Sequence, residues 1–155
     1  MSSVVGYAPG AYDLFHVGHL NLLWRARGHC DFLIAGVVSD DLCHRMKGVR
    51  PIIPLAERAA IVGAIDVVDA VHVELVPDKL VAWQEVGFHR IFKGDDWQGT
   101  PKGERLERSF EAVGVEVVYF PYTQQTSSTL LRLALRRLNA VAADGVGAGV
   151  GDVQV

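Results

Sequence analysis

The sequence predicts an α/β fold in which helices cover both faces of a five-stranded parallel sheet. Five short apolar runs alternate with amphipathic segments of helical spacing along the chain. One run, DFLIAGVV at residues 31–38, is apolar at almost every position, as expected of a strand covered on both faces. This alternation favours a doubly wound, Rossmann-like arrangement. With 155 residues, the chain is long enough for one such domain, which buries roughly 70% of its unfolded surface.

The predicted elements follow one another in a regular order. Strands are expected at residues 3–10, 31–40, 69–76, 89–96 and 115–121. Helices are expected at residues 19–28, 55–65, 78–87, 102–114 and 127–139. A short polar segment at residues 40–54 separates the second strand from the second helix.

Local signals justify the helices at both ends of the chain. In the first helix, Leu20 and Leu23 recur at helical spacing, and Gly28 is a typical C-terminal stop. Pro54 suits the first turn of the second helix. In the last helix, one face carries the apolar residues Leu131, Ala134, Leu135 and Leu138. We therefore predict one domain over residues 1–140, followed by a disordered tail over residues 141–155, which is rich in small residues and lacks a pattern.

Composition and charge exclude several functional classes. A formal net charge of −3 gives no support for a nucleic-acid partner, which usually binds a basic face. No apolar run reaches the length of about 18 residues that a membrane span requires, and the first residues do not form a signal peptide. Cys30 and Cys43 match neither a disulfide framework nor a metal-binding spacing, so we expect free thiols. These observations predict a cytoplasmic protein with no membrane partner.

Four segments are expected to meet at one edge of the sheet. In a doubly wound sheet, ligands bind at the carboxyl ends of the strands, near the point where the strand order reverses. The segments there are Gly10–His19, the region of Lys47, Gly94–Trp97 and Thr126–Arg132. All four carry residues suited to polyanions, so the sequence predicts a phosphate-binding cleft.

The pair His16 and His19 surrounds Gly18 at the expected start of the first helix. Free N–H groups there form an anion site, and Gly18 allows a phosphate to approach the backbone closely. Both imidazoles can donate hydrogen bonds to one phosphoryl oxygen. A zinc site is a weaker interpretation because no nearby side chain completes a ligand set, and His29 lies roughly 15 Å away along the helix. Packing or capping by both histidines is the third alternative.

Four motifs in order resemble one known family. GAYDLFHVGHLNLL resembles the HxGH signature of the nucleotidyltransferase superfamily, and its GxYDLFHxGH form is closest to the cytidylyltransferase branch. KGVRPIIPLAERAAIVGAIDVVDAV resembles the lysine loop and arginine helix of that branch. KGDDWQG is particularly similar to glycerol-3-phosphate cytidylyltransferases, and TSSTLLR occupies the place of the last nucleotide motif. The resemblance covers residues 3–138.

The resemblance implies a role for each motif. A substrate phosphate attacks the α-phosphorus of a nucleoside triphosphate and releases pyrophosphate. His16 and His19 stabilise the developing charge, and Lys47 and Arg58 complete the predicted catalytic set by binding phosphate. The implied acceptor-binding residues are Asp13, Lys47, Arg58 and Trp97. Those implied for the nucleotide are Gly10, Ala11, Tyr12, Gly18, Gly94, Asp95, Ser127, Ser128, Thr129 and Arg132.

One departure from the cytidylyltransferase pattern concerns the nucleotide base. The branch usually begins its last motif with an arginine, and Tyr122 stands at that place here. SSTLLR also resembles the adenylyltransferase form, in which an arginine inside the helix binds the triphosphate, so Arg132 can replace the missing charge. The expected substrates are CTP and a small phosphorylated alcohol such as glycerol 3-phosphate. The alternatives are an adenylyltransferase acting on a sugar phosphate such as heptose 1-phosphate, and a non-catalytic nucleotide-binding module.

The resemblance also implies a cofactor and an oligomeric state. Mg²⁺ is expected to accompany the triphosphate, and no protein residue is predicted to bind it directly, although Asp13 can reach it through water. A homodimer is expected from the resemblance alone.

Overall fold

The computed structural model describes residues 2–122 and 126–146. Its five strands are β1 (Val5–Gly10), β2 (Phe32–Val38), β3 (Ala70–Glu74), β4 (Arg90–Gly94) and β5 (Glu116–Phe120). Its six helices are α1 (Val17–Arg27), α2 (Asp40–Lys47), α3 (Leu55–Gly63), α4 (Lys79–Val86), α5 (Pro101–Glu111) and α6 (Ser128–Val146). A single 3₁₀ turn at Asp95–Trp97 joins β4 to α5.

All strand pairs in the sheet are parallel, and the order is β3-β2-β1-β4-β5. The order reverses between β1 and β4, so the carboxyl ends of these two strands open a crevice. The predicted Rossmann-like α/β fold is confirmed.

Helices cover the sheet on both faces. Leu23 of α1 and Val62 of α3 pack with Phe92 in one buried cluster. Ala82 of α4 and Phe110 of α5 belong to a second cluster on the other face. Neighbouring residues of one strand therefore point into different clusters, as the two-residue period of a strand requires.

The polar segment after β2 contains the helix α2, which Ser39 caps by accepting a hydrogen bond from Leu42 N at 3.2 Å. The end of α6 differs from the sequence prediction. The helix α6 continues to Val146, past the domain boundary predicted at residue 140. Alanines at residues 140, 142 and 143 have high helix propensity, which explains the extension. The rest of the predicted tail lies outside the described residues.

Over residues 2–122 and 126–146, the structure contains no helix with the length and apolar character needed to cross a bilayer.

Candidate active site

The two histidines of the HxGH motif form the N-terminal cap of α1. His16 is the N-cap residue, and its Nδ1 accepts a hydrogen bond from Gly18 N at 3.0 Å. His19 Nδ1 accepts from His16 N at 3.2 Å. Because each Nδ1 is an acceptor, the proton of each neutral ring lies on Nε2. The rings, whose centroids are 4.0 Å apart, therefore present two Nε2–H donors beside the helix N-terminus.

Both imidazoles are neutral near pH 7. The pKa of His19 is lowered to about 4, mainly by burial; His16 and Lys47 contribute to the lowering, and Asp13 opposes it. Burial also lowers the pKa of His16. The site thus combines neutral donors with the partial positive charge of a helix N-terminus, an arrangement that suits a phosphoryl group.

The loop between β1 and α1 has an unusual backbone. Tyr12 and Leu14 adopt φ values of 54° and 50°, which few residues other than glycine adopt. The buried Tyr12 ring anchors the loop, because its hydroxyl donates to Ala8 O at 2.7 Å. Such strained backbone costs about 1–3 kcal/mol per residue and persists only where surrounding contacts hold it. Tyr12 therefore holds the loop between β1 and α1 in this conformation.

A cleft opens above this loop. One part has a volume of about 440 Å³, and its lining includes Gly10, Ala11, Tyr12, Asp13, His19, Lys47, Ser128, Thr129, Arg132 and Arg136. The adjoining part has a volume of about 370 Å³, and its lining includes His16, Gly18, His19, Lys47, Lys93, Gly94, Asp96, Trp97, Tyr122, Ser127, Ser128, Thr129 and Arg132. The two parts share residues from α1, α2 and α6. The structure thus brings together every residue predicted for the site except Arg58 and Asp95.

Arg58 lies beneath the cleft and does not line it. Its side chain is fully buried. Its guanidinium donates to the carbonyl oxygens of Ile53 at 2.8 Å, Ala11 at 2.5 Å and Val38 at 2.8 Å. It also donates to Asp40 Oδ1 at 2.6 Å. These bonds tie the β1, β2 and α3 segments together, so we correct its predicted phosphate contact to a positioning role.

Asp13 holds two flanks of the cleft. Its two carboxylate oxygens accept hydrogen bonds from Ile52 N and Ile53 N, each at 2.9 Å. Its carbonyl oxygen accepts from Ser128 Oγ at 2.7 Å, and Arg132 Nη1 lies 3.5 Å from Oδ2. Asp13 therefore connects the loop after Lys47 to the start of α6.

The residues after β4 divide between the cleft and its support. Gly94 and Trp97 line the cleft, as predicted. Asp95 does not, because its Oδ1 accepts a hydrogen bond from Tyr122 N at 3.1 Å and fastens the 3₁₀ turn to the segment after β5. Gly103 of α5 lets the backbone of Trp97 approach the helix closely, because a Cβ at this position would lie 2.0 Å from Trp97 O.

The hydroxyl groups at the start of α6 differ in the contacts that they make. Ser127 Oγ accepts from Leu130 N at 3.1 Å, which is a helix cap. Ser128 Oγ is engaged with Asp13, as described above. Thr129 is exposed at the cleft. Arg50, three residues after Lys47, pairs with Asp41 at 2.5 Å on the surface.

Sequence reasoning missed two cations in the cleft, Lys93 and Arg136. Lys93 directly precedes Gly94 in the KGDDW stretch, so its place at a strand end next to a motif was the available signal. Arg136 lies one helical turn after Arg132 on α6, and that spacing was also readable.

The described residues offer no ready-made metal cage. Within residues 2–122 and 126–146 there is no group of three or more histidine, cysteine, aspartate or glutamate side chains able to hold an ion. Asp13 has both carboxylate oxygens engaged with backbone N–H groups. A Mg²⁺ ion held mainly by side chains therefore does not fit this cleft.

Known proteins share both the sequence motifs and the fold. The model of the "Cytidylyltransferase-like" family matches residues 7–134. The bifunctional protein HldE of Pelobacter propionicus is 36% identical over 135 residues, which are 84% of this chain and 27% of that protein. HldE of Halorhodospira halophila is 40% identical over 130 residues, which are 82% of this chain and 26% of that protein. The chain thus spans about a quarter of the length of these curated relatives.

Solved structures agree with this comparison. A lipopolysaccharide core biosynthesis protein from Thermoplasma volcanium has a TM-score of 0.67 and 25% identity, and the match covers 81% of this chain and all of that one. A pantothenate synthetase from Thermus thermophilus, at 21% identity and a TM-score of 0.59, shares the fold over 79% of this chain and 57% of that one. With the HxGH cap and its cleft in place, the family match identifies the chain as a member of the cytidylyltransferase-like family of the HxGH nucleotidyltransferase superfamily.

Proposed function

We propose that this protein transfers a nucleoside monophosphate from a nucleoside triphosphate to a small phosphorylated acceptor. One observation carries the proposal: two neutral Nε2–H donors and the N-terminus of α1 border a cleft that also holds Lys47 and Arg132. Preorganised donors of this kind stabilise the charge that develops on a phosphoryl group during transfer.

The reaction is a direct displacement at phosphorus. An oxygen of the acceptor phosphate attacks the α-phosphorus, and the bond from that phosphorus to the α–β bridging oxygen breaks. The electron pair leaves with pyrophosphate. No general base is required, because a phosphate acceptor is already ionised near pH 7. His16 and His19 donate hydrogen bonds to the α-phosphate oxygens, and cations of the cleft neutralise the triphosphate and the acceptor.

The triphosphate would bring Mg²⁺ with it. The ion usually keeps several waters and binds through substrate phosphates rather than in an all-protein cage. Its chemistry when bound is to neutralise phosphate charge. The protein's own contribution is to bind and orient the two phosphate groups.

For the substrates we favour ATP and a phosphorylated sugar such as heptose 1-phosphate. Two HldE proteins are similar to this chain over more than four fifths of its length, and a similar solved structure is described as a lipopolysaccharide core biosynthesis protein. Tyr122 stands where the cytidylyltransferase branch has an arginine. Arg132, placed as in the adenylyltransferase form, lines both parts of the cleft.

CTP with glycerol 3-phosphate is the second candidate. The KGDDWQG stretch favours it, as does the cytidylyltransferase-like family match.

A homodimer and a cytoplasmic location also remain predictions. Sedimentation velocity tests the first, and exposed leucines such as Leu130 and Leu138 on α6 are available for such contacts.

A substrate panel tests the function. Pyrophosphate release is measured for ATP and CTP, each with heptose 1-phosphate and with glycerol 3-phosphate, in the presence of Mg²⁺. We expect one triphosphate–acceptor pair to exceed the others clearly. Tight triphosphate binding with no turnover for any pair would favour the non-catalytic module instead.

A further inference from the structure

Lys93 occupies a position in the cleft that the reaction described above does not yet use. It is the penultimate residue of β4, immediately before Gly94, and it lines the cleft together with His16 and His19. Its Nζ lies 3.9 Å from the centroid of the Trp97 ring. A cation over the face of an indole is held electrostatically, so Trp97 fixes the direction of this side chain.

The ammonium of Lys93 forms no ion pair at 4.0 Å or less with any carboxylate in the described parts of the chain. Glu74 is the buried carboxylate that most favours its charged form. One oxygen of Glu74 pairs with Lys79, and the other accepts a hydrogen bond from the Tyr7 hydroxyl at 2.6 Å. Glu74 is therefore already engaged by two other groups.

The electrostatics of Lys93 reflect this imbalance. Its pKa is lowered to about 8, mainly by burial, with smaller contributions from the charge of Lys79 and, more weakly, that of Lys47. Glu74 and Asp96 oppose the shift without cancelling it. Burying a cation without a counter-charge costs free energy, because the charged group loses its hydration. A ligand that brings negative charge to Nζ would relieve that cost.

The ligand is indicated by the division of the cleft. Gly10, Ala11 and Tyr12, which are predicted for the nucleotide, line only the 440 Å³ part. Lys93 and Trp97 line only the 370 Å³ part, while Lys47 lines both parts and is close enough to influence the pKa of Lys93. Lys47 and Trp97 are the residues predicted for the acceptor.

We infer that Lys93 binds the phosphate of the acceptor together with Lys47, while Trp97 holds its ammonium in place. This inference rests on the proposed function, which supplies the phosphorylated acceptor. It has a consequence for pH dependence. Above pH 8, free Lys93 loses its proton, so the acceptor must bind with uptake of a proton and its affinity falls about fivefold between pH 8 and pH 9.

Binding measurements test the inference without requiring turnover. Heptose 1-phosphate and glycerol 3-phosphate are titrated calorimetrically into the full chain, and the α,β-methylene analogues of ATP and CTP are titrated separately. In Lys93→Met, we expect acceptor affinity at pH 7 to fall roughly 10- to 100-fold, the scale of one hydrogen bond to a charged group. Analogue affinity should change by less than about threefold. Lys102→Met is the matched control, because the Lys102 ammonium also lies near Trp97, 5.9 Å from its ring centroid, but is not among the residues that line the cleft. It should leave both affinities unchanged.

A second variant separates charge from structure. Lys93→Arg keeps its charge at pH 9, so its acceptor affinity should stay nearly constant from pH 7 to pH 9 while that of the wild type falls. If Lys93→Met keeps wild-type acceptor affinity, or loses analogue affinity instead, the assignment of Lys93 to the acceptor is wrong although pyrophosphate release still supports the function. If the wild type binds the analogues but neither acceptor and releases no pyrophosphate, the proposed function fails and the inference fails with it.

Discussion

Replacement of Arg58 by lysine tests whether this residue holds the fold or binds phosphate. The fully buried guanidinium satisfies three backbone carbonyl groups and Asp40 at once. A lysine ammonium has no planar fork and cannot reach all four acceptors from one position. We therefore expect Arg58→Lys to destabilise the fold while leaving the chemistry of the cleft largely intact.

The structure sets the size of this effect. With two of these buried or part-buried acceptors left without a donor in Arg58→Lys, at about 1–3 kcal/mol each, the expected loss is about 2–6 kcal/mol. This span includes the range of about 3–5 kcal/mol for breaking a buried ion pair. For a domain of this length, 1 kcal/mol shifts Tm by about 2–4 °C, so Tm should fall by roughly 4–24 °C.

Urea unfolding and calorimetry measure the loss, and the Michaelis constant for the acceptor is measured well below the lowered Tm. Arg90→Lys is the matched control. Arg90 pairs with Glu116 at 2.9 Å on the surface, where such pairs contribute about 0–1 kcal/mol. An Arg58→Lys protein as stable as the wild type, with an acceptor KM raised tenfold or more, would refute the positioning role and restore the phosphate contact.

Three further changes test the site. His16→Ala should lower kcat about 100-fold or more, because it removes an Nε2–H donor. His16→Asn should be equally inactive but should regain thermal stability, because asparagine still caps α1. A wild-type kcat in either variant would exclude His16 from the mechanism. Asp13→Asn replaces one of the two carboxylate oxygens that accept from Ile52 N and Ile53 N by an NH₂ group, which can only donate. The KM for the phosphorylated acceptor, measured by pyrophosphate release, should therefore rise more than the KM for the triphosphate. Equal changes in the two KM values would contradict the link to the Lys47 loop. Gly103→Ala should lower Tm and alter tryptophan fluorescence, since its Cβ meets Trp97 O at 2.0 Å, whereas an unchanged spectrum would argue against this contact.

The architecture was predictable because its signals are local. Strand and helix periods, the stop at Gly28 and the proline before α3 are all read within a few residues. The HxGH motif is equally local, since His16, Gly18 and His19 form the cap of α1 among themselves. The helix α2 also has a local signal, because Ser39 directly precedes it as a cap.

The contacts that the charged side chains make were not predictable from such local signals. Arg58 resembles a phosphate ligand in sequence, yet its partners Ala11 and Val38 lie 47 and 20 residues away along the chain. Asp13 reaches Ser128 across 115 residues. Whether an ion faces solvent, a ligand or the core depends on such distant partners and on burial.

The sequence by itself determined the alternation of strands and helices and the donor pair at the start of α1, because periodicity and capping involve neighbours in the chain. Only the tertiary structure decided that Arg58 supports the cleft from beneath, that Asp13 joins two of its flanks, and that Lys93 enters it without an ion pair to any described carboxylate. The physical reason is that desolvation and charge pairing are properties of the packed molecule, which sets the cost of each ion through groups far apart in sequence.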